Sequence, residues 1–148
     1  MNESTRQTMF SSATNEWATP QEFFDKLNKI YNFTLDPCCT KETAKCSTFF
    51  TEKEDGLSQS WRGHQVSIKP RLVQIHPKDT LVACLIPART DTKYWHDYCM
   101  KANKIMFVKG RLKFGDGTGS APFPSAVVIF DGGEYNHTTP KMEAIDRQ

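Results

Sequence analysis

The sequence predicts an α/β domain with a mostly parallel sheet and flanking helices. Three observations predict it. Leu81-Val82-Ala83-Cys84-Leu85-Ile86 is a continuous apolar run, the mark of a strand buried on both faces. Strand-like and helix-like patterns alternate along the chain, as they do where helices cover a sheet. Asp36-Pro37, Lys69-Pro70 and Pro87-Ala88-Arg89 each follow a predicted strand. Sheets of this class bind ligands beyond the carboxyl ends of their strands, so the three motifs fall where a composite site is built.

Each element has its own reason. Residues 1–14 are rich in Ser, Thr and Asn and are expected to form a mobile N-terminal segment ahead of a domain at 15–131. Thr19, Pro20 and Glu22 read as a capping box with proline at the first helical position. Phe23, Phe24, Leu27, Ile30 and Tyr31 then mark one apolar helical face. Phe33 to Leu35 is a short strand ending at Asp36-Pro37, Ser47 to Thr51 a candidate strand, and Gln65 to Ile68 another. Thr92 to Lys101 reads as a helix capped by Asp91, with Tyr94, Trp95, Tyr98 and Cys99 on its buried side and His96 as a packing or surface residue. Lys104 to Val108 and Ala126 to Phe130 are strands, joined through a flexible loop at Gly115 to Ser120. Residues 132–148 are read as a polar tail.

A chain of 148 residues is one domain by size and long enough to bury a core. No stretch approaches the ~20 apolar residues of a membrane span, and the polar residues around Met9-Phe10 give no signal peptide. Cys38, Cys39, Cys46, Cys84 and Cys99 are odd in number, which indicates reduced, cytoplasmic usage and not a disulfide framework. The spacing of Cys38, Cys39 and Cys46 matches no common zinc pattern, so no metal is expected. Charge is uneven. Residues 1–60 carry 6 basic and 9 acidic side chains, residues 61–113 carry 11 and 3, and residues 114–148 carry 2 and 5. The central segment therefore stands at +8 between two segments at −3, which suits a polyanion such as DNA as well as a plain solvated face.

Several motifs, in order, carry a family resemblance. Upstream are Glu16-Trp17-Ala18-Thr19-Pro20, Leu35-Asp36-Pro37-Cys38-Cys39, Asp55-Gly56-Leu57 and Trp61. Downstream are Leu85-Ile86-Pro87-Ala88-Arg89-Thr90-Asp91-Thr92, Gly110-Arg111-Leu112-Lys113-Phe114 and Ala121-Pro122-Phe123-Pro124-Ser125. From about Asn15 to Phe130 the chain resembles the phage-type, Dam-like DNA adenine-N6 methyltransferases. The resemblance implies an S-adenosylmethionine-dependent methyltransferase-like fold, that cofactor, a DNA partner, and the cytoplasm of a bacterial host with a phage or prophage origin. By position it assigns Trp17, Thr19, Pro20, Asp36, Pro37, Cys38 and Asp55 to the cofactor side. It assigns Arg89, Thr90, Asp91, Arg111, Lys113 and Phe114 to nucleic acid. Helix capping alone also accounts for Thr19 and Pro20, and an ordinary turn for Asp55. The turn Pro122 to Ser125 reads equally well as purely structural.

One motif departs. The family has Asn-Pro-Pro-Tyr or Asp-Pro-Pro-Tyr at the end of its middle strand, whereas this chain has Lys69-Pro70-Arg71-Leu72. Lysine offers three donors and no acceptor for the adenine amino group. Arg71 replaces a rigid proline, and Leu72 removes the ring that stacks on the extruded base. The crossover is shortened too. Only residues 69–80 separate Ile68 from Leu81, with Pro70 and Pro77 among them, so a crossover helix is expected to be missing. Either a bare loop crosses, or Leu72 to Ile75 turns back as a strand. The first expectation is a catalytically impaired or inactive homologue that keeps DNA or cofactor binding. Two alternatives stand beside it: an active site-specific enzyme, and a phage-encoded inhibitor of host defence. The last would bind a host protein at the surface beside Val66 to Ile68, where a homo-oligomer contact is also conceivable.

Overall fold

The computed structural model describes residues 18–68, 80–115, 119–132 and 139–148. Among the described residues two α-helices, α1 (Gln21–Tyr31) and α2 (Lys93–Asp97), accompany seven strands. These are β1 (Leu35–Asp36), β2 (Thr48–Phe49), β3 (Gln65–Ile68), β4 (Leu81–Pro87), β5 (Lys104–Lys109), β6 (Ser125–Asp131) and β7 (Lys141–Asp146). Short 3-10 turns occupy Gly56–Ser58 and Cys99–Lys101.

The strands form one sheet in the order β2-β1-β3-β4-β6-β5-β7. The pairs β1 with β2, β1 with β3, β3 with β4, and β5 with β7 are parallel. Only β6 runs against its neighbours, β4 and β5. The sheet is thus mostly parallel, as the sequence predicts.

Alternation along the strands sorts the core onto two faces. Val82, Cys84 and Ile86 of β4 join Ala126, Val128 and Phe130 of β6 on one face, under Trp61, Trp95 and Cys99. Ala83 and Leu85 join Val127 and Ile129 on the other, under Phe23, Phe24 and Leu27 of α1. Burial on both faces explains why β4 and β6 read as unbroken apolar runs.

Several expectations need correction. Pro20, with ψ 132°, is the residue at the helix cap, and Thr19 lies one position outside with no capping-box bond formed. An extended Pro20 ends the non-helical backbone there, so α1 begins at Gln21 and Glu22 falls in its first turn. Ile30 is 61% exposed and does not belong to the buried face. The second helix is capped by Thr92, whose hydroxyl accepts from the Trp95 N–H at 3.2 Å, and not by the exposed Asp91. That helix also stops at Asp97, giving way to the 3-10 turn at Cys99–Lys101.

The polar tail contains β7, paired residue for residue with β5 from Lys104 and Lys141 to Lys109 and Asp146. Its side chains are mostly exposed, which hides the strand from a hydrophobicity reading. The Lys26 ammonium holds it against α1 by donating to the Asp146 carbonyl at 2.9 Å and to that of Gln148.

The apolar surface expected beside Val66 to Ile68 is not built there by Val66. That residue is fully buried in the same core as Leu35, Trp61 and Val82. Phe107 and Met142, the large apolar side chains left exposed besides Ile30 among the described residues, lie toward the β7 edge. The parallel register sets Gln65 beside Leu81 and Ile68 beside Cys84. Returning from one end of that ladder to the other is a path of roughly 10 Å, well within the ~40 Å that residues 69–80 can span. Chain length therefore permits a crossing without a helix.

Candidate functional site

The register brings the described motifs after β1 and β4 to one rim. Leu35 stands opposite Val66, Ile68 opposite Cys84, and Pro87 opposite Ser125. The ends of β1, β3 and β4 and the start of β6 therefore share an edge. With neighbouring strands ~4.8 Å apart, β1 and β4 flank β3 at roughly 10 Å from each other. The chain leaves β3 between Asp36 and Pro87. Lys69, Pro70, Arg71, Leu72 and Trp17 lie outside the described residues.

On the β1 side the polar groups are turned inward. Asp36 is buried, and its two carboxylate oxygens accept from the backbone N–H of Cys38 at 3.4 Å and of Lys45 at 3.1 Å. It thereby ties down the loop after β1, a structural duty the sequence did not reveal. The Lys45 ammonium donates to the Gln21 side chain at 2.8 Å, linking that loop to the start of α1. Burial lowers the pKa of Lys45, opposed by the neighbouring carboxylates of Asp36 and Asp25. Burial, then the Asp36 charge, pushes the Cys46 thiol up to about 12. Cys39 is raised for the same reasons in the same order.

Pro37 is fully buried because Gly56 lies directly against it. A Cβ on Gly56 would sit 1.9 Å from the Pro37 carbonyl oxygen, so only glycine fits. The indole N–H of Trp61 fixes this approach by donating to the Gly56 carbonyl at 2.8 Å. Next door, Asp55 adopts a left-handed backbone with φ 52°. Its Oδ1 is buried with no hydrogen-bond partner among the described residues. Asp55 thus combines an uncommon backbone with an orphaned acceptor.

On the other side, cations are exposed beside two half-buried rings. Arg89 is exposed, and its guanidinium lies over the Phe123 ring at 5.8 Å from the centroid. Phe123 packs in turn on Phe114, with centroids 6.2 Å apart. Arg111 and Lys113 are exposed, as are Thr90 and Asp91. Arg111 reaches the Ala121 carbonyl at 3.5 Å, while Arg147 donates to the Arg111 carbonyl at 3.1 Å. Gly110, at φ 85°, supplies the turn after β5. The Gly115 N–H donates to the Ala18 carbonyl at 3.0 Å. Residues 18–21 thus touch both halves: Ala18 meets the segment after β5, and Gln21 meets Lys45.

Among the described site residues, Pro37, Cys38 and Asp55 gather near the end of β1 with Asp36. Arg89 and Phe114 meet through Phe123. Thr19 and Pro20 lie between the halves, and Thr90 and Asp91 stand apart on the solvent side of their turn. Lys45, Gly56 and Phe123 were missed as site residues. The prolines flanking Phe123 were a usable signal for a ring held in place, whereas nothing in sequence marks Lys45. No group of three or more His, Cys, Asp or Glu among the described residues could hold a metal ion, and all five cysteines are free thiols. No helix among them is long and apolar enough to cross a membrane.

A family model described as DNA N-6-adenine-methyltransferase (Dam) matches residues 6–131. The sheet is accordingly a methyltransferase-like α/β fold. Comparison with curated proteins and with solved structures gave no match.

Proposed function

The chain belongs to the DNA N-6-adenine-methyltransferase (Dam) family, and from that premise we propose that it binds DNA and S-adenosylmethionine but transfers no methyl group. The observation that carries this reading is Lys69-Pro70-Arg71-Leu72 directly after β3, where the family resemblance calls for Asn-Pro-Pro-Tyr or Asp-Pro-Pro-Tyr. The amino lone pair of adenine is delocalised into its ring. Acceptors on the protein must hold both amino hydrogens before that nitrogen becomes a nucleophile. Lys69 has no acceptor to give, and its charge opposes the positive charge that develops on N6. Losing one such preorganised group costs about 10²–10³ in rate. Arg71 and Leu72 remove two further contributions from the same turn.

The cofactor residues by family position are Trp17, Thr19, Pro20, Asp36, Pro37, Cys38 and Asp55. The orphaned Oδ1 of Asp55 fits a ligand carrying hydroxyl or ammonium donors, and S-adenosylmethionine carries both. Asp55 would accept from it, the close Pro37–Gly56 contact would hold Asp55 in place, and Asp36 would order the loop alongside. S-adenosylmethionine supplies, when bound, a methyl group made electrophilic by its sulfonium. DNA would meet Arg89, Thr90, Asp91, Arg111, Lys113 and Phe114, where exposed cations and a ring suit a phosphate backbone and bases.

Calorimetric titration with S-adenosylmethionine, run beside a labelled-methyl assay on plasmid DNA, tests the proposal. Binding heat without incorporation is the expected result. Incorporation above the blank would establish an active enzyme. Absence of heat, with no DNA retardation at low salt, would remove the binding half of the proposal.

A further inference from the structure

We infer that Arg89, Phe123 and Phe114, the two rings tilted 41° to each other, form a preorganised column that takes an unpaired DNA base on the Arg89 guanidinium. The inference rests on the DNA-binding reading above and adds a ligand feature and a positioning residue, Phe123, to it.

The column is held from both ends. The turn carrying Arg89 is closed by its own backbone: the Arg89 N–H donates to the Pro87 carbonyl at 2.9 Å. The Thr92 hydroxyl donates to the Arg89 carbonyl at 2.8 Å. The turn carrying Phe123 lies between Pro122 and Pro124, each with φ restricted by its ring. The two turns are joined, since the Ala88 N–H donates to the Pro124 carbonyl at 2.8 Å. Register continues the joint into the sheet, where Pro87 pairs with Ser125. Arg89 thus has a fixed base and an aromatic support at 5.8 Å, within the ~6 Å range of a cation–π contact.

A long exposed arginine side chain usually samples many rotamers, and fixing it costs entropy. Here Phe123 restrains the guanidinium and leaves the residue exposed. An exposed guanidinium supported by one ring can accept a second π-system. Unpaired bases stack on arginine planes and aromatic rings in this way, whereas paired bases inside a duplex present no such face. Arg111 and Lys113 stand exposed on the segment that carries Phe114, placed to hold the flanking phosphates.

Fluorescence anisotropy with three duplexes of equal length tests the inference. One is fully paired, one carries a single unpaired adenine, and one carries an abasic unit at that position. Unmodified protein should bind the unpaired-adenine duplex roughly ten- to hundredfold tighter than the abasic one. Phe123→Leu should bring that ratio close to one, Phe123→Tyr should retain it, and Arg89→Lys, which keeps charge but loses the plane, should lower it. Thermal melts that match the unmodified protein, together with unchanged affinity of Phe123→Leu for the fully paired duplex, separate loss of the ring from loss of fold, and Phe123→Tyr shows that an aromatic ring suffices. A ratio near one in the unmodified protein, or a ratio unchanged in Phe123→Leu, overturns the column while DNA binding itself stands. No binding to any of the three at low salt overturns the column together with the DNA-binding reading.

Discussion

The two halves of the rim use polar residues in opposite ways. Near β1, the Asp36 carboxylate is buried and spent on backbone N–H groups, and Lys45 bridges to α1. Near β4 and β6, Arg89, Arg111 and Lys113 are exposed. The first half is a loop held shut by charge, and the second is a surface that presents charge. Substitutions on the β1 side should therefore lower stability, while those on the β4 side should leave stability alone and change binding.

The largest expected effect belongs to Gly56→Ala. Its Cβ would meet the backbone of Pro37, which cannot swing away as a side-chain tip can. A destabilisation of ~3 kcal/mol is expected, read as a fall in melting temperature of roughly 10 °C. An unchanged melting temperature would mean that the two segments do not lie this close. Asp36→Ala follows, with about 2 kcal/mol lost in urea unfolding, because two backbone donors lose a charged acceptor. If Asp36→Ala were neutral in stability yet abolished ligand binding, the inward character of the β1 half would be refuted.

The thiols extend the same comparison to pH. Cys39 and Cys46, beside Asp36, and Cys84 and Cys99, in the core, all have raised pKa values, with burial the leading cause. Their folded values lie above the ordinary 9.0, so unfolded thiols ionise first. Stability from this source is fully present below pH 9.0 and is lost progressively as the pH climbs toward the folded value of about 12 for Cys46. Urea midpoints should accordingly be lower at pH 10 than at pH 8, by an amount that shrinks in Cys46→Ser. The smallest stability effects fall on the other half. Arg89→Ala, Arg111→Ala and Lys113→Ala should each stay within ~0.5 kcal/mol. Arg111→Ala and Lys113→Ala should each reduce the slope of log affinity against log salt by about one.

Much of the architecture was legible because it rests on apolar patterning. The run Leu81 to Ile86 became β4, and Gln65 to Ile68 became β3 with matching bounds. β7 was not legible, because an edge strand with Lys141, Glu143 and Asp146 among six residues looks like a polar tail. Its partner β5 and the Lys26 clamp, far away in sequence, hold it in the sheet. Caps were misplaced by one residue on both helices, since Thr19 with Pro20 and Asp91 with Thr92 offer adjacent candidates that only backbone angles separate. In the site, rim placement followed from the strand order. The inward use of Asp36 and the Arg89–Phe123 contact did not, because both depend on side chains meeting across loops.

The central claim is that the segment after β3 has lost the residues that methyl transfer needs. The most direct measurement is incorporation of labelled methyl from S-adenosylmethionine into the adenines of unmethylated plasmid DNA. It should be run with excess cofactor for the unmodified protein, for Asp36→Ala, and for the triple variant Lys69→Asn, Arg71→Pro, Leu72→Tyr. No incorporation is predicted for the unmodified protein or for Asp36→Ala, and at most weak incorporation for the triple variant, whose crossover remains short. Incorporation by the unmodified protein that disappears in Asp36→Ala would contradict the account.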